Sequence, residues 1–304
     1  MDEETSDRAW DAVVVGGGVA GLTAATFLAR ADEATLVVDA GGSILRRNAH
    51  LENFPGFPDG VDPRRLLSLQ TEQAATAGAT HATGRVTDVT AVEDGFRVTV
   101  AGGDPEDGTS DAGDPNDETD DGNTRDVGDS DATDATDATD ATDATDGDAG
   151  DEPNDTTVLT TNRIVAATKN AVGYLDGVGV DLREHGKTFV ETDERGRTGV
   201  PGLYAAGRLA GKPHQAAVCA GHGAEVAVTV LEDSDEPFYH DWVTPAGYFT
   251  DRGREVPPGC EEIDAAERER RGETARTATR ETFAEPHPEP QETHPSLEPR
   301  GDET

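Results

Sequence analysis

The chain has 304 residues, of which 63 are acidic and 25 basic, giving a formal net charge of −38. Such a surface repels nucleic acid and anionic membranes, so neither is an expected partner. With two cysteines, Cys219 and Cys260, the composition excludes a disulfide framework and a four-cysteine zinc site, and no metal site is expected. An acid excess of the halophilic kind, which keeps proteins hydrated in concentrated salt, explains the charge. An acidic partner-binding surface is the alternative.

No apolar run long enough to span a membrane is present, and the N-terminal stretch MDEETSDRAWD has neither a basic nor an apolar region. These features predict a cytoplasmic protein without a transmembrane helix or secretion signal. The oligomeric state is left open, with a homodimer as one option.

The hydrophobic pattern alternates strands with helices along most of the chain. In chain order it predicts strand 12–15, helix 19–31, strand 35–39, helix 63–77, strands 84–90 and 95–101, strand 163–168, strands 188–193 and 203–207, and a helix at about 214–231. This alternation predicts an α/β fold with a parallel sheet, and the hairpin-like stretch 84–101 adds a small antiparallel layer.

A low-complexity acidic stretch interrupts this pattern. Residues 104–156 hold 21 acidic residues and one basic residue, and include the repeat DATDATDATDATDATD. Such a composition buries too little apolar surface to offset the entropy of ordering, which favours a disordered insert over a β-solenoid. The predicted segments are a Rossmann-like domain in two halves (9–102 and 158–232), the insert (103–157), an aromatic and helical extension (233–285) and a disordered tail (286–304).

The strongest motif is VVVGGGVAGLTAA, in which Gly16, Gly18 and Gly21 form G-x-G-x-x-G after a valine run and at the start of an apolar helix. The first glycine permits a tight turn, the second lets a pyrophosphate approach the backbone, and the third lets helix and strand pack closely. Asp39 ends the second strand, where it can accept a hydrogen bond from a ribose hydroxyl. The pattern predicts a dinucleotide site but does not separate FAD from NAD.

Three stretches in order resemble the thioredoxin reductase-like branch of the flavoproteins with two dinucleotide-binding domains. They are VVVGGGVAGLTAA, LENFPGFPDGV (51–61) and GRTGVPGLYAAGRLAGKPHQAAVCAGHGAEVA (196–227). The resemblance covers roughly 11–101 and 160–231 and implies FAD rather than NAD in the glycine motif. The cofactor-binding residues that it implies are Gly16, Gly18, Val19, Ala20, Gly21, Asp39, Asn53, Val86, Gly207, Arg208, Gln215 and Ala216.

The resemblance also implies a place for each part of the cofactor. Asn53 would lie by the isoalloxazine, and Val86 would use its backbone on the adenine side. The third motif would bind the ribityl chain, and the amides of Gln215 and Ala216 would face the pyrimidine edge. A helix N-terminus at that edge favours negative charge on the ring.

Two features depart from the family pattern. The family inserts an NAD(P)H-binding domain with a C-x-x-C pair between the two halves, and this sequence has neither the second glycine fingerprint nor the pair. Because a dithiol relay needs two neighbouring thiols, thioredoxin reductase chemistry is doubtful.

Arg208 stands where the family has aspartate, and arginine can only donate. It is expected to pair with the pyrophosphate, to bond an acid such as Glu52 or Asp39, or to be a surface residue.

Several side chains keep alternative interpretations. Cys219 is expected to be a buried helix residue rather than a flavin-linked thiol, and His222 to pack rather than to donate a proton near the flavin. The aromatic stretch FYHDWVTPAGYFTDRG (238–253) is either a strap that closes the core or a cover for the flavin face.

The sequence therefore predicts an FAD-dependent oxidoreductase that accepts a hydride at flavin N5 from an unidentified small-molecule or protein donor. No catalytic residue is identified. The alternative is a non-enzymatic, FAD-binding redox sensor or partner-binding module. A plain NAD-binding dehydrogenase is disfavoured by ENFPGF and by the third motif.

Overall fold

The fold is described from a computed structural model for residues 9–102, 156–234 and 240–293. The strands in these residues are β1 (Trp10–Val15), β2 (Thr35–Asp39), β3 (Thr80–Val92), β4 (Gly95–Gly102), β5 (Thr156–Ala166), β6 (Leu182–His185), β7 (Lys187–Val190), β8 (Leu203–Ala205), β9 (Trp242–Pro245) and β10 (Cys260–Ile263). The helices are α1 (Val19–Arg30), α2 (Pro63–Ala77), α3 (Ala216–Glu232) and α4 (Ala265–Thr282). None of these helices is both long and apolar enough to cross a membrane.

A parallel sheet forms the centre of the fold. Its strands run in the order β3–β2–β1–β5–β8, with Val14 of β1 opposite Val37 of β2 and Val165 of β5. The strands β1 and β2 are almost entirely buried, as expected where other layers cover both faces of a parallel sheet. Because the strands are parallel, their carboxyl ends meet at one edge, the edge at which such sheets bind ligands.

Extensions of two of these strands build a small antiparallel layer. The second half of β3, the whole of β4 and the first half of β5 pair antiparallel to one another. This layer covers one face of the parallel sheet, and the core between them includes Trp10, Phe96 and Leu159. The predicted α/β Rossmann-like fold with a small antiparallel layer is therefore confirmed.

The predicted acidic insert is bounded by two strands of this layer. β4 ends at Gly102 and β5 begins at Thr156, and the two strands pair with Ala101 opposite Thr156. Thr156 and Thr157 therefore belong to β5 and not to the insert, because the ladder to β4 reaches them. Residues 103–155 lie outside the described part of the chain, and their disorder stays a prediction.

Helices α1 and α3 pack side by side on the other face of the sheet. The core that they share with it includes Leu28, Val226 and Val230. Small residues let the helices approach closely: a Cβ added to Gly223 would lie 2.2 Å from the carbonyl oxygen of Ala20. Each helix begins shortly after a strand of the parallel sheet ends, so both helix N-termini lie at the carboxyl edge.

The described residues 240–293 form a segment that we call the C-terminal strap. Its strands β9 and β10 are parallel, and α4 follows them with Asp264 as its N-cap. Trp242 lies in the same pocket as Phe27 and Leu231, which belong to the last turns of α1 and α3. The 18 residues of α4 correspond to about 27 Å of helix. At its far end, Phe283 contacts Phe57, with ring centroids 6.1 Å apart.

The end of the strap differs from the predicted disordered tail, 286–304. Its residues contact the 3₁₀ turn Ile44–Arg47: Arg46 pairs with Glu289 at 2.5 Å, and the Gln291 side chain donates to the carbonyl of Arg47 at 3.0 Å. Backbone and side-chain partners supplied by this turn hold residues 286–293 against the domain. Residues 294–304 lie outside the described part of the chain.

The close approach of α1 and α3 predicts opposite effects for two substitutions on one helix. Gly223→Ala should lower the free energy of unfolding by about 1–3 kcal/mol, because the new methyl group overpacks against Ala20. Gly221→Ala is the matched control: its Cβ would meet no atom within 4 Å, and the variant should be up to ~1 kcal/mol more stable. Urea unfolding measures both. Equal stability of the two variants would contradict the described packing.

Candidate functional site

The turn after β1 is shaped by two glycines. Gly16 has a φ of +110°, and its N–H donates to the carbonyl of Val38 at 2.8 Å. A Cβ on Gly16 would lie 2.9 Å from the carbonyl oxygen of Ala167, and a Cβ on Gly21 would lie 2.0 Å from that of Gly16. Both positions therefore exclude larger residues, and they let α1 pack against the end of β1 as the motif predicts.

Gly18 differs from these two glycines because the space beside it is open. It is the N-cap of α1, with φ −80° and ψ 178°, and a Cβ there would meet no atom within 4 Å. Val19 and Ala20 follow it and are buried, no side chain caps the helix, and its first turn contains no acid. An anion such as a pyrophosphate fits here, because the first N–H groups of a helix and its dipole both favour negative charge.

Helix α3 begins in the same way at the same edge. Its N-cap is Gln215, no side chain caps it, and the first turn from Ala216 contains no acid. The other two described helices differ, since Asp62 caps α2 and Asp264 caps α4. In a chain with 63 acidic residues, the pair of uncapped helix N-termini therefore fits a ligand with electronegative groups at two points.

Asp39 lies beside the glycine turn at the carboxyl end of β2. A Cβ on Gly17 would lie 2.4 Å from the Asp39 Oδ2 atom, and Oδ1 accepts a hydrogen bond from the N–H of Gly41 at 3.2 Å. The carboxylate thus lies against the turn that would hold a pyrophosphate, where the motif places it. Its bond to a ribose hydroxyl stays a prediction.

Asn53 connects the second motif to the third. Its Nδ2 atom donates to the Oε1 atom of Gln215 at 2.7 Å, although the two residues are 162 positions apart in the chain. The loop that carries Asn53 is closed by a two-bond bridge between Leu51 and Val61. The contact places the loop at the N-terminus of α3, so the two motifs implied to surround the isoalloxazine do lie together.

Gly207 and His222 form the buried centre of the third motif. Gly207 has a φ of +65°, and a Cβ there would lie 2.7 Å from the Cβ of Ala20. Its N–H donates to the Nδ1 atom of His222 at 2.9 Å. His222 is 4% exposed, and its burial, followed by the charge of Lys212, lowers its pKa to about 4. The side chain packs, as predicted, but it also accepts a backbone hydrogen bond that the sequence did not indicate.

Arg208 and Cys219 lie next to this centre. Arg208 belongs to the 3₁₀ turn Gly207–Ala210 and is half-buried. Cys219 is buried on α3, and its thiol lies 3.6 Å from the carbonyl of Pro213. Burial raises the pKa of this thiol, against smaller lowering effects that include the charge of Arg208. Cys219 is therefore a buried helix residue, as predicted.

Two expectations about more distant residues have different outcomes. Val86 is 7% exposed in β3, next to a register shift in its ladder with β4, and its backbone role stays a prediction.

The aromatic residues Trp242, Tyr248 and Phe249 cluster together, with Trp242 at the last turns of α1 and α3. The uncapped helix N-termini lie at the first turns, so this cluster does not cover the candidate site.

The N-terminal part of the described fold matches a known family model. Residues 14–58 match the NAD(P)-binding Rossmann-like domain. Thioredoxin reductase from Aquifex aeolicus is 39% identical over 83 residues, which cover 26% of this chain and 25% of that protein. Thioredoxin reductase from Bacillus subtilis is 33% identical over 102 residues, 32% of this chain and 31% of that protein. The matched region thus spans about a quarter to a third of the length of these curated relatives.

Two solved structures share the fold at low sequence identity. An oxidoreductase from Agrobacterium tumefaciens has a TM-score of 0.51 at 15% identity, over 74% of this chain and 98% of that one. A thioredoxin reductase from Gloeobacter violaceus has a TM-score of 0.50 at 15% identity, over 76% and 99% of the two chains. The resemblance indicated by the three motifs is confirmed as a similarity: part of the chain is similar in sequence to thioredoxin reductases, and the two solved structures share its Rossmann-like fold.

Proposed function

We propose that the chain is an FAD-dependent oxidoreductase, in which flavin bound at the carboxyl edge of the sheet accepts a hydride at N5 from an unidentified donor. The observation that carries the proposal is the pair of uncapped helix N-termini at Gly18 and Gln215. FAD has both a pyrophosphate and an electronegative ring edge, so it can use both N-termini at once. NAD could use the first, but its nicotinamide offers no comparable edge to the second.

The residues of the glycine turn would hold the nucleotide end of FAD. The N–H groups at the start of α1 would bind the pyrophosphate in the open space beside Gly18, and Asp39 would accept from the ribose. Val86 would contact the adenine side through its backbone. Arg208 would reach the pyrophosphate or the ribityl chain from the turn that begins at Gly207, where a guanidinium can form paired bonds to phosphate oxygens.

The loop 51–58 and the start of α3 would hold the flavin ring. FAD supplies the chemistry when bound, since its isoalloxazine takes up two electrons with a proton. The amides at Gln215 and Ala216 would stabilise negative charge at the pyrimidine edge, because they lie at the positive end of the helix dipole. Asn53 would fix the loop through its hydrogen bond to Gln215 and so keep the ring environment in place.

Neither cysteine supports a dithiol step at this site. Cys219 is buried with a raised thiol pKa, whereas Cys260 lies on β10 in the C-terminal strap. A thiolate is the species that attacks a disulfide, and two thiols on different elements provide no resolving pair. We therefore propose that electrons leave the flavin for an external acceptor, without a thiol relay within the described residues.

The purified chain should be yellow and should release FAD on denaturation, as identified by mass spectrometry. Anaerobic addition of NADH or NADPH then tests the donor by stopped-flow absorbance. Bleaching of the flavin at a catalytic rate supports the oxidoreductase with that donor. A yellow protein that no donor reduces supports the alternative of a non-enzymatic redox sensor. A colourless protein that binds no added FAD contradicts both.

Substitutions at Gly18 test the anion site separately from folding. Gly18→Asp should leave the apoprotein as stable or a few tenths of a kcal/mol more stable, because aspartate is a preferred N-cap. The same carboxylate should weaken FAD binding by about 100-fold, since it repels the pyrophosphate at short range. Gly18→Asn is the control of equal volume without charge and should lose much less affinity. Fluorescence titration of the apoproteins measures both, and equal FAD affinity in wild type and Gly18→Asp would exclude a pyrophosphate at this position.

A further inference from the structure

The bond between Gly207 and His222 fixes the protonation state of the imidazole. A backbone N–H can only donate, so Nδ1, which lies 2.9 Å from the Gly207 nitrogen, must carry a lone pair. The proton of the neutral ring is then on Nε2, which is buried and has no hydrogen-bond partner among the described residues. A side chain that only filled volume would not need this polar arrangement, because leucine would fill similar space without a buried N–H.

Gly207 lies where the elements of the candidate site converge. A Cβ on it would lie 2.7 Å from the Cβ of Ala20 on α1 and 3.6 Å from that of Cys219 on α3. The residue also opens the 3₁₀ turn Gly207–Ala210, and its φ of +65° is one that few residues other than glycine adopt. Its position between the helices is set by sterics, but sterics do not set the direction of its peptide group.

The peptide plane between Ala206 and Gly207 is oriented by His222. Because a peptide unit is planar and trans, the direction of the Gly207 N–H also fixes the opposite direction of the Ala206 carbonyl. The N–H of Ala206 is already bonded to the carbonyl of Ala166 in β5 at 2.8 Å. The Nδ1 atom of His222 on α3 therefore fixes the orientation of the next peptide, which leads from β8 into the turn that carries Arg208.

We propose that His222 is a positioning residue for the cofactor, which holds the Gly207–Arg208 turn in its binding conformation through Nδ1. This inference rests on the proposed FAD site, and it assigns His222 no contact with FAD. Loss of the acceptor leaves the Gly207 N–H buried without a partner, and the turn relaxes by rotating that peptide. FAD binding is then weakened, because the turn lies between the two uncapped helix N-termini.

Two variants distinguish the loss of the hydrogen-bond acceptor at position 222 from the loss of side-chain volume. In His222→Asn the side-chain Oδ1 stands at the same number of bonds from the backbone as Nδ1, so the acceptor is kept while volume is lost. In His222→Leu the volume is nearly kept and the acceptor is lost. A packing role predicts that leucine is the milder change, whereas a positioning role predicts that asparagine is the milder change for FAD binding.

The test uses the full chain, stripped of flavin and titrated with FAD by fluorescence, together with the visible spectrum at saturating FAD. We expect His222→Leu to bind FAD about 10- to 100-fold more weakly than wild type, as the loss of one buried hydrogen bond implies. We expect its flavin bands to shift, because the turn against the ribityl chain has moved. His222→Asn should bind within about threefold of wild type with an unshifted spectrum.

The outcomes distinguish this inference from the proposed function. If wild type binds FAD and His222→Leu binds it equally well with the same spectrum, the positioning role is wrong while the FAD site stands. Weaker binding by His222→Asn than by His222→Leu also overturns it in favour of packing. If wild type binds no FAD, the proposed function fails and the inference fails with it. Should His222→Leu not fold, His222→Ala replaces it, and binding by His222→Asn no tighter than by His222→Ala overturns the role.

Discussion

The close contact between α1 and α3 is the feature on which the candidate site depends. Gly223 lies against the carbonyl of Ala20, and Gly207 lies against the side chain of the same residue. Each helix starts at the carboxyl end of the sheet, so the contact that closes the core also brings the two helix N-termini together. The same small residues therefore set both the packing of the two helices and the geometry of the candidate site. A larger side chain at either glycine would displace the binding edge as well as the core.

The distribution of charge is consistent with a binding role for this edge. The chain carries a net charge of −38, yet the first turns of α1 and α3 contain no acid. An acid excess that served only hydration would have no reason to avoid helix N-termini, where carboxylates are stabilising. Asp62 and Asp264 are the N-caps of α2 and α4, whereas Gly18 and Gln215 are the N-caps of α1 and α3. The difference is explained if a negatively charged ligand takes the place of the acid on α1 and α3.

Features that depend on neighbouring residues could be predicted from the sequence, and features that depend on distant partners could not. The bounds of α1 and the places of Gly16 and Asp39 follow from the local pattern. The bond between Asn53 and Gln215 spans 162 positions, and no periodicity reports it. The composition of residues 286–293 favours disorder, but their partner Arg46 lies 243 positions before Glu289. The sequence does not indicate the acceptor role of His222, because a histidine on a helix is compatible with packing alone.

The C-terminal strap contacts the domain at two places, the last turns of α1 and α3 and the loop 51–58. Its aromatic cluster lies at the last turns of α1 and α3, and α4 is long enough to return the chain to the opposite end. There Phe283 contacts Phe57, which in turn contacts Phe54 beside Asn53. Exposed ion pairs such as Arg46–Glu289 add little on their own, so the aromatic contacts and the hydrogen bonds to the turn Ile44–Arg47 attach this end of the strap. The strap therefore contacts the same loop whose Asn53 is hydrogen-bonded to Gln215 at the start of α3.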